Sequence, residues 1–273
     1  KAALVFDRTE TDTWKTVKFG DRYSGGNKRF PFFDNNSYLS KAGNSADAPA
    51  LIRNVFNYFQ NEVLRLGLNE NVLPEAWADD EVLLGKVSAL LSFVDTGVSG
   101  VVVKKKDIDE ESVILPDNLP KQVRESLLQG MRRSYLFSHQ TDADSVELFD
   151  LRKESEGTQK LFHLAPLIID ALATGGVLIV DELDNSMHPF MAELIIRLFN
   201  DPEVNQSNAQ LIFSTHNISL MTPERFRRDQ IWLTEKTNGA TKLYSLEDFD
   251  KKKVKPQSPF NRWYAEGRFG AVP

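Results

Sequence analysis

Residues 177–189 read VLIVDELDNSMHP, in which four aliphatic residues lead directly to Asp181 and Glu182. A continuous apolar run of this length is typical of a strand in a parallel sheet that is covered on both faces. Ligands of open α/β sheets bind at the carboxyl ends of the strands. The stretch therefore predicts two carboxylates at a binding edge of the sheet. A buried strand that simply ends in two solvated acids is the alternative interpretation, and this stretch alone does not exclude it.

Helix and strand patterns alternate around this stretch. Before it, the strand VELFDL at residues 146–151 precedes a helix at 156–172; after it, a helix at 189–199 precedes the strand AQLIFST at 209–215. Uniformly apolar central strands between helices indicate the α/β class, with a mainly parallel sheet flanked by helices. Two further strands and a last helix are predicted at residues 230–235, 242–246 and 259–266.

One long helix is predicted in the first part of the chain. Asp47 would cap it, and Pro49 lies in its first turn, where proline is favoured. Its apolar positions recur at helical spacing and continue through Val63 and Leu64. Gly67 is then the predicted end of the helix.

The character of the sequence changes near residue 144. Residues 1–144 combine irregular strands and loops with helices at 80–93 and 119–129 and a β-rich piece between them. The strand and helix alternation begins only after that point. We therefore predict a mixed helical and β lobe at 1–144, which would hold an arm or a partner-docking insertion, and a second domain at 145–273.

Composition limits the classes of function. The chain is 41% hydrophobic and 26% charged, and it contains no apolar run close to the roughly 20 residues that span a bilayer, so no membrane association is predicted. Cysteine is absent, which excludes disulfides and cysteine-ligated metals. A reducing cytoplasm is the expected compartment, and other compartments are also compatible with this composition. The net charge of −6 argues against a chain-wide DNA-binding surface. Lysine runs at 104–106 and 251–255 lie beside acids and are interpreted as solvated loops, with DNA contact as the minority interpretation.

A second polar cluster comes at the end of the next predicted strand, where residues 214–217 read STHN. Neighbouring parallel strands end at the same edge of a sheet, so His216 is expected beside Asp181 and Glu182. An imidazole at that edge could contact a γ-phosphate. A strand-end histidine by itself is commonly structural, and the pairing of two polar strand ends favours a function.

The third cluster, ESEGTQK at residues 154–160, opens the helix that precedes the acids. Ser155 is predicted to cap this helix, so that the free amides of the first turn face outward. Gly157 would let a phosphate approach the backbone closely, and the helix dipole favours an anion there. A capped helix without a ligand is the alternative, and for this cluster alone it is favoured.

Together the three clusters resemble the signature motif, Walker B strand and switch histidine of an ABC-type ATPase head, as in SMC, Rad50 and OLD-like proteins. In particular, the sequence resembles prokaryotic AAA-family ATPases of the RloA and OLD-like kind, which occur in phage-defence loci. The likeness includes SEGTQK, the strand ending in DE, the turn ending in HP, STHN, and YAEGRFGAVP at 264–273. The likeness in sequence covers residues 145–273. Before residue 145 only the topology is similar. The resemblance implies a fold of the P-loop NTPase class, an ABC-ATPase-like head.

The resemblance implies a role for each matching residue. Asp181 would hold Mg²⁺ through water, Glu182 would be the catalytic base, and His216 would contact the γ-phosphate of ATP. Further residues would meet nucleotide held by a second subunit or cross the dimer interface: Ser155, Gly157 and Thr158 of the signature motif, and Asp184, Asn185 and Ser186 of the D-loop. The signature departs from the common LSGGQ pattern, with Glu154 in place of Leu and Glu156 in place of the first Gly.

A phosphate loop is missing from this set. Its pattern, G-x-x-x-x-G-K-[ST], is absent from the sequence. The nearest stretch, GDRYSGGNKR at 20–29, has its lysine two positions late and Arg29 where Ser or Thr should stand, so it is interpreted as a loop or a tight hairpin turn. Gln60 and Gln129 are the candidates for a Q-loop. We expect that the chain is part of a longer polypeptide, that the amino-terminal phosphate-loop part is missing here, and that the chain alone hydrolyses little ATP.

The leading prediction is an ATPase subunit that uses ATP and Mg²⁺, forms a head-to-head dimer or higher homo-oligomer, and regulates an effector nuclease or toxin in anti-phage defence. DNA is a further candidate partner. The alternatives are a non-catalytic regulatory or scaffold lobe and a DNA-repair ATPase of the SMC/Rad50 type, although sustained heptads are absent from the sequence. An OLD-type nuclease is disfavoured, because the residues after His216 offer Asp248 and Asp250 as a D-F-D pair but are too few for a Toprim module.

Overall fold

In the computed structural model the described residues are 5–7, 15–21, 23, 37–66, 75–94, 96–109, 113–116, 119–141 and 145–271. The helices within them are α1 (Tyr38–Gly43), α2 (Ala50–Asn61), α3 (Glu75–Ala78), α4 (Glu81–Phe93), α5 (Lys121–Met131), α6 (Glu156–Thr174), α7 (Pro189–Asn200) and α8 (Phe260–Ala265). The strands are β1 (Phe6–Asp7), β2 (Lys18–Phe19), β3 (Val63–Leu66), β4 (Val98–Lys105), β5 (Arg133–Gln140), β6 (Val146–Asp150), β7 (Val177–Val180), β8 (Gln210–Phe213), β9 (Trp232–Thr237) and β10 (Ala240–Ser245).

The centre of the fold is a parallel sheet with the strand order β3–β7–β8. In this sheet Val180 lies opposite Leu66 of β3 and Phe213 of β8. Strand β7 is therefore paired on both edges, and its residues Leu178 and Val180 are buried in the core that also contains α6 and α7. The predicted α/β fold, a mainly parallel sheet flanked by helices, is confirmed.

The prediction of a helix at residues 49–67 is wrong about where the helix ends and about which residue caps it. Helix α2 ends at Asn61, and Val63–Leu66 forms strand β3 instead. The apolar side chains of β3 continue the helical stripe, but a short apolar run fits a buried strand equally well, and pairing with β7 decides between the two. At the other end, Pro49 occupies the N-cap position without a side-chain cap, so Asp47 does not have the predicted role.

A second, antiparallel sheet has the strand order β4–β5–β6 and packs beside helix α4. Phe137 of β5 is fully buried and meets Phe162 of α6 edge-on, with ring centroids 5.1 Å apart. The core therefore contains side chains from both sides of residue 144. The predicted division of the chain at that residue is not tested by these contacts and stays a prediction.

The remaining predicted elements are found close to their expected positions. Helix α4 begins after Asp80, which caps it by accepting a hydrogen bond from the amide of Leu83 at 2.9 Å. Helix α5 runs from Lys121 to Met131, so it begins and ends about two residues later than predicted. The two late strands and the last helix correspond to β9, β10 and α8.

Gly175 sets the point at which α6 ends and β7 can begin. It caps the helix in the left-handed conformation, with a φ angle of 79°. A Cβ atom at this position would lie 2.4 Å from the carbonyl oxygen of Ser207. Both the conformation and the lack of space therefore require glycine. The end of the helix in turn fixes where Asp181 leaves the sheet.

The last part of the chain forms a small separate core around the hairpin of β9 and β10. The buried Arg228 donates hydrogen bonds to the carbonyl oxygens of Leu246 and Phe249 at 2.9 and 2.6 Å. Helix α8 contacts the helical turn Ile218–Leu220, which closely follows His216. The carboxyl-terminal core thus supports the segment that carries the histidine.

Several sequence predictions lie partly or wholly outside the described residues. Of the nearest phosphate-loop candidate, residues 20–29, only residues 20, 21 and 23 are described, and the amide of Tyr23 donates to the carbonyl oxygen of Gly20 at 3.0 Å. The two Q-loop candidates, Gln60 and Gln129, are exposed on α2 and α5. Within the described part of the chain, no helix is long and apolar enough to cross a membrane.

Helix α6 carries a buried histidine, His163, for which the sequence gives no functional signal. His163 is 8% exposed, and its Nδ1 atom has no hydrogen-bond partner among the residues that the structure describes. Burial disfavours the imidazolium form and lowers the pKa of His163 to about 4. The pKa of a histidine in an unfolded chain is about 6.5. Between these two values the unfolded chain binds more protons, so the folded state loses stability as the pH falls.

We predict that acid destabilises the protein partly through His163. As the pH falls from about 7 to about 5, the free energy of unfolding should fall by about 2 kcal/mol on account of this residue. The variant His163→Leu has no proton to bind and should lack this part of the pH dependence. Urea unfolding of both proteins across this pH range measures the difference, and parallel pH profiles would contradict the prediction.

Candidate functional site

The predicted polar strand ends meet at one edge of the parallel sheet. Ser214, which follows β8, donates a hydrogen bond from Oγ to Oδ1 of Asp181 at 2.5 Å and accepts one from the amide of Glu182 at 2.8 Å. Its carbonyl oxygen accepts a further hydrogen bond from the amide of Leu183 at 3.0 Å. Because β7 and β8 are parallel and end together, this one serine fixes the point at which both acids leave β7.

His216 lies close to Glu182, as the sequence predicts. Its Nε2 atom is 3.4 Å from Oε1 of Glu182. The side chain of His216 is 87% exposed and that of Glu182 is 31% exposed. The structure thus brings Asp181, Glu182 and His216 to the same open edge, as the sequence predicts. Their metal-binding and catalytic roles stay predictions.

Residues 181–187, here called the acid loop, turn away from the end of β7. Glu182 and Ser186 have φ angles of 49° and 59°, which non-glycine residues rarely adopt. The carboxylate of Asp184 accepts a hydrogen bond from the hydroxyl of Thr215 at 2.5 Å. The acid loop is therefore tied a second time to the segment that follows β8.

Lys160 of α6 reaches into the acid loop. Its ammonium donates hydrogen bonds to the carbonyl oxygens of Glu182 at 2.6 Å and Asn185 at 3.1 Å. Burial lowers the pKa of Lys160, while the neighbouring carboxylates, that of Asp184 foremost, oppose this shift. This lysine belongs to the cluster ESEGTQK, but the sequence gives no signal for its contact, because the contact depends on how α6 packs beside the sheet.

The start of α6 packs against the acid loop. Ser155 is the N-cap, as predicted, and its Oγ accepts a hydrogen bond from the amide of Thr158 at 3.1 Å. Gly157 is buried, and a Cβ atom there would lie 2.9 Å from the carbonyl oxygen of Ser186. The close approach that requires glycine is made by the acid loop of the same chain, whereas the sequence pattern predicts a phosphate there. Contact of these signature residues with nucleotide stays a prediction.

The two glutamates that depart from the LSGGQ pattern have different surroundings. The side chain of Glu154 is buried, and its Oε1 lies 2.8 Å from Nε2 of His139 on β5. The side-chain amide of Gln159 donates to the carbonyl oxygen of Glu154 at 2.8 Å. Glu156 is exposed in the first turn of α6, where the helix dipole favours a negative charge. The carboxylate of Glu154 is thus engaged by the antiparallel sheet, and the sequence gives no signal for its partner.

The open edge fits a magnesium ion that arrives with a nucleotide. Among the described residues, no group of three or more His, Asp and Glu side chains is placed to hold a metal ion. Mg²⁺ is usually held by one or two carboxylates, with water and phosphate oxygens completing its coordination. Asp181 offers one such carboxylate, exposed to solvent and oriented by Ser214. The residues present therefore suit Mg²⁺ bound together with ATP.

A family model described as "AAA domain, putative AbiEii toxin, Type IV TA system" matches residues 12–222. The match spans the parallel sheet, the acid loop and the segment of His216, and it covers more than half of the chain. A search of curated proteins found no match. The candidate site therefore lies within a region that is shared with an ATPase family.

We predict opposite effects for two glycine substitutions. In Gly157→Ala the new Cβ would meet the carbonyl oxygen of Ser186, so the free energy of unfolding should fall by about 1–3 kcal/mol. Gly85→Ala is the matched control, because Gly85 lies within helix α4 with open space around it. That variant should gain about 0.5–1 kcal/mol. Urea unfolding measures both changes, and a shift of the same sign in the two variants would contradict the packing described here.

Proposed function

This chain belongs to the AAA-domain family, and we propose that it is the part of an ATPase in which two heads enclose ATP and hydrolyse it. Membership of the family implies nucleotide binding of the ATPase type. The observation that carries the proposal is the meeting of Asp181, Glu182 and His216 at the carboxyl edge of the parallel sheet, where Ser214 bridges the two acids. Ligands of open α/β sheets bind at this edge.

Each group at the edge suits one task in phosphoryl transfer. Asp181 would hold Mg²⁺ through a water molecule. Glu182 would orient the attacking water and accept its proton. His216, whose exposed ring adjoins Glu182, would contact the γ-phosphate. Bound Mg²⁺ supplies neutralisation of the negative charge on the phosphates.

A second head would complete the site. Two groups of residues would lie at the interface: Ser155, Gly157 and Thr158 at the start of α6, and Asp184, Asn185 and Ser186 in the acid loop. The exposure of Ser155, Asn185 and Ser186 supports this arrangement, whereas Gly157 and Thr158 are buried within the single chain. The amino terminus of α6 would present its first-turn amides to a phosphate held by the partner head.

The partner regulated by this ATPase would be an effector nuclease or toxin in anti-phage defence. The resemblance to RloA and OLD-like ATPases supports this through SEGTQK at 155–160, STHN at 214–217 and YAEGRFGAVP at 264–273. The description of the matching family, which names an AbiEii toxin and a Type IV TA system, agrees with such a role. Opening and closing of the heads around ATP would switch the effector, in the cytoplasm, with DNA as a further candidate partner.

The phosphate loop would come from polypeptide outside these residues, because the pattern G-x-x-x-x-G-K-[ST] is absent from the sequence. Strand β8 is an edge of the parallel sheet among the described strands. A further parallel strand could pair with that edge. Its carboxyl end would then bring a phosphate loop beside Ser214.

Intact-mass analysis of the native polypeptide tests the origin of the phosphate loop. We expect a mass well above 31.0 kDa and a G-x-x-x-x-G-K-[ST] motif before Lys1. A native polypeptide that begins at Lys1 would mean that another chain supplies the loop or that the ATPase proposal is wrong. Co-purification of a second chain with that motif separates these two outcomes.

A non-catalytic regulatory or scaffold lobe is the second candidate function. The observation in its favour is the same missing phosphate-loop motif. In such a lobe, Mg²⁺ and nucleotide would stabilise an interface without being consumed. A DNA-repair ATPase of the SMC/Rad50 type is the remaining alternative, and the sequence lacks the sustained heptads of its coiled-coil arms.

In the full-length protein, Glu182→Gln should retain ATP binding and lose turnover. The amide side chain is a poor proton acceptor, so ATP hydrolysis should fall by about 100-fold or more. An ATP-bound dimer should accumulate, because its ATP is no longer consumed. Phosphate release and size-exclusion chromatography with ATP and Mg²⁺ measure the two effects.

The matched control for this substitution is Glu203→Gln, which changes an exposed glutamate in the turn after α7. It should leave turnover and oligomeric state unchanged. If Glu182→Gln hydrolysed ATP at the wild-type rate, the assigned base would be wrong. The regulatory or scaffold lobe would then describe the protein better.

A further inference from the structure

We propose that Lys160 is a positioning residue of the ATPase site, whose ammonium fixes the backbone that orients Glu182. The inference rests on the proposed function, in which Glu182 is the base. Lys160 does not contact the reacting atoms in this account. It acts through the acid loop, and its contacts, charge and place on α6 each support that role.

The ammonium of Lys160 bridges the two ends of one tight turn. It donates to the carbonyl oxygen of Glu182 at 2.6 Å and to that of Asn185 at 3.1 Å. The amide of Asn185 donates to the same oxygen of Glu182 at 3.0 Å. Glu182 and Ser186, the residue after Asn185, both have positive φ angles. Such conformations persist where the surroundings determine them, and Lys160 binds the backbone beside both.

Glu182 is also held from its other side. Its amide donates to Oγ of Ser214 at 2.8 Å, while its carbonyl oxygen accepts from Lys160. The two peptide groups that flank the Glu182 side chain are therefore anchored by side chains from two other elements. With both groups fixed, the carboxylate can move only by rotation about the bonds of its own side chain.

Charge strengthens this arrangement. Asp181, Glu182 and Asp184 bring three carboxylates into a short loop, where they repel one another. The partly buried ammonium attracts all three, Asp184 most strongly. Hydrogen bonds from a charged donor are also stronger than those from a neutral one. A neutral side chain of similar length at position 160 would lose both the attraction and the two hydrogen bonds.

Lys160 also links the acid loop to the start of α6. It lies shortly after Ser155 and Gly157, which the proposed function places against nucleotide in the partner head. Gly157 also lies close to the loop, since a Cβ atom at this position would be 2.9 Å from the carbonyl oxygen of Ser186. A displacement of the helix start would therefore be transmitted to Glu182 through the Lys160 hydrogen bonds and through the close approach of Gly157 to the acid loop. This gives the dimer interface a direct physical connection to the base.

The test compares three variants of the full-length protein in steady-state hydrolysis of ATP with Mg²⁺. Lys160→Met keeps the length of the side chain and removes its charge and donors, Lys160→Arg keeps both, and Lys252→Met removes an exposed positive charge elsewhere. Lys160→Met should lower kcat by about tenfold or more and leave KM for ATP within about threefold. Lys160→Arg should restore most of kcat, and Lys252→Met should match the wild type.

Hydrogen exchange gives a readout that does not depend on activity. Amides of residues 183–187 should exchange faster in Lys160→Met than in the wild type and in Lys252→Met, because the turn has lost its anchor. Where Lys160→Met does not fold, Lys160→Gln takes its place. Unchanged exchange in this segment would overturn the inference. Wild-type kcat in Lys160→Met would overturn it too. So would a general loss of kcat, ATP affinity and melting temperature in Lys160→Met that Lys160→Arg does not restore.

Failure of the proposed function would give a different pattern. If Glu182→Gln hydrolysed ATP at the wild-type rate, the assignment of the base would fail, and with it the catalytic purpose of the Lys160 contact. If Glu182→Gln lost turnover while Lys160→Met kept it, the positioning inference alone would fail. The two substitutions therefore test the proposed ATPase function and the positioning role of Lys160 separately.

Discussion

The pairing of β7 between β3 and β8 is the constraint on which the rest of the structure depends. A strand that is paired on both edges and covered by helices must be apolar along its length, and VLIV at 177–180 meets that requirement. Because the three strands are parallel, polar groups that follow them emerge at one edge. The end of β7 delivers Asp181 and Glu182 there, and the end of β8 delivers Ser214 and His216. The place of the candidate site is thus a direct consequence of how the sheet forms.

The acid loop shows how the fold holds an unfavourable local arrangement in place. It contains neighbouring carboxylates and two non-glycine residues with positive φ angles, and such conformations lower stability unless the surroundings offset them. Here the surroundings are the hydroxyl of Ser214 after β8, the ammonium of Lys160 on α6, and the backbone of Gly157, which lets the helix approach closely. Each contact comes from an element that is itself fixed by the buried core. The rigidity of the core is therefore what permits a strained, charged loop at its edge.

The features of the fold and the candidate site that could be predicted from the sequence are those that depend on residues close together in the chain. Strands β7 and β8, helices α6 and α7, and the meeting of the two acids with the histidine follow from local patterns. Strand β3 does not, because Val63–Leu66 continues the apolar stripe of α2 and becomes a strand only by pairing with β7. The contacts of Lys160 with the acid loop and of Glu154 with His139 were equally out of reach, since they depend on how separate elements pack.

The candidate site at the edge of the sheet is open to solvent in the single chain. His216 is 87% exposed and Glu182 is 31% exposed, so water reaches both side chains in a single chain. Preorganised charges stabilise a transition state most where water is excluded. The edge also carries mainly carboxylates, which would repel phosphates unless cations or amides were added from elsewhere. A phosphate loop on one side and the helix start of a partner head on the other would supply donors and exclude water together. The two-head arrangement proposed above would change both features of the edge, its exposure and its charge, and it stays a proposal.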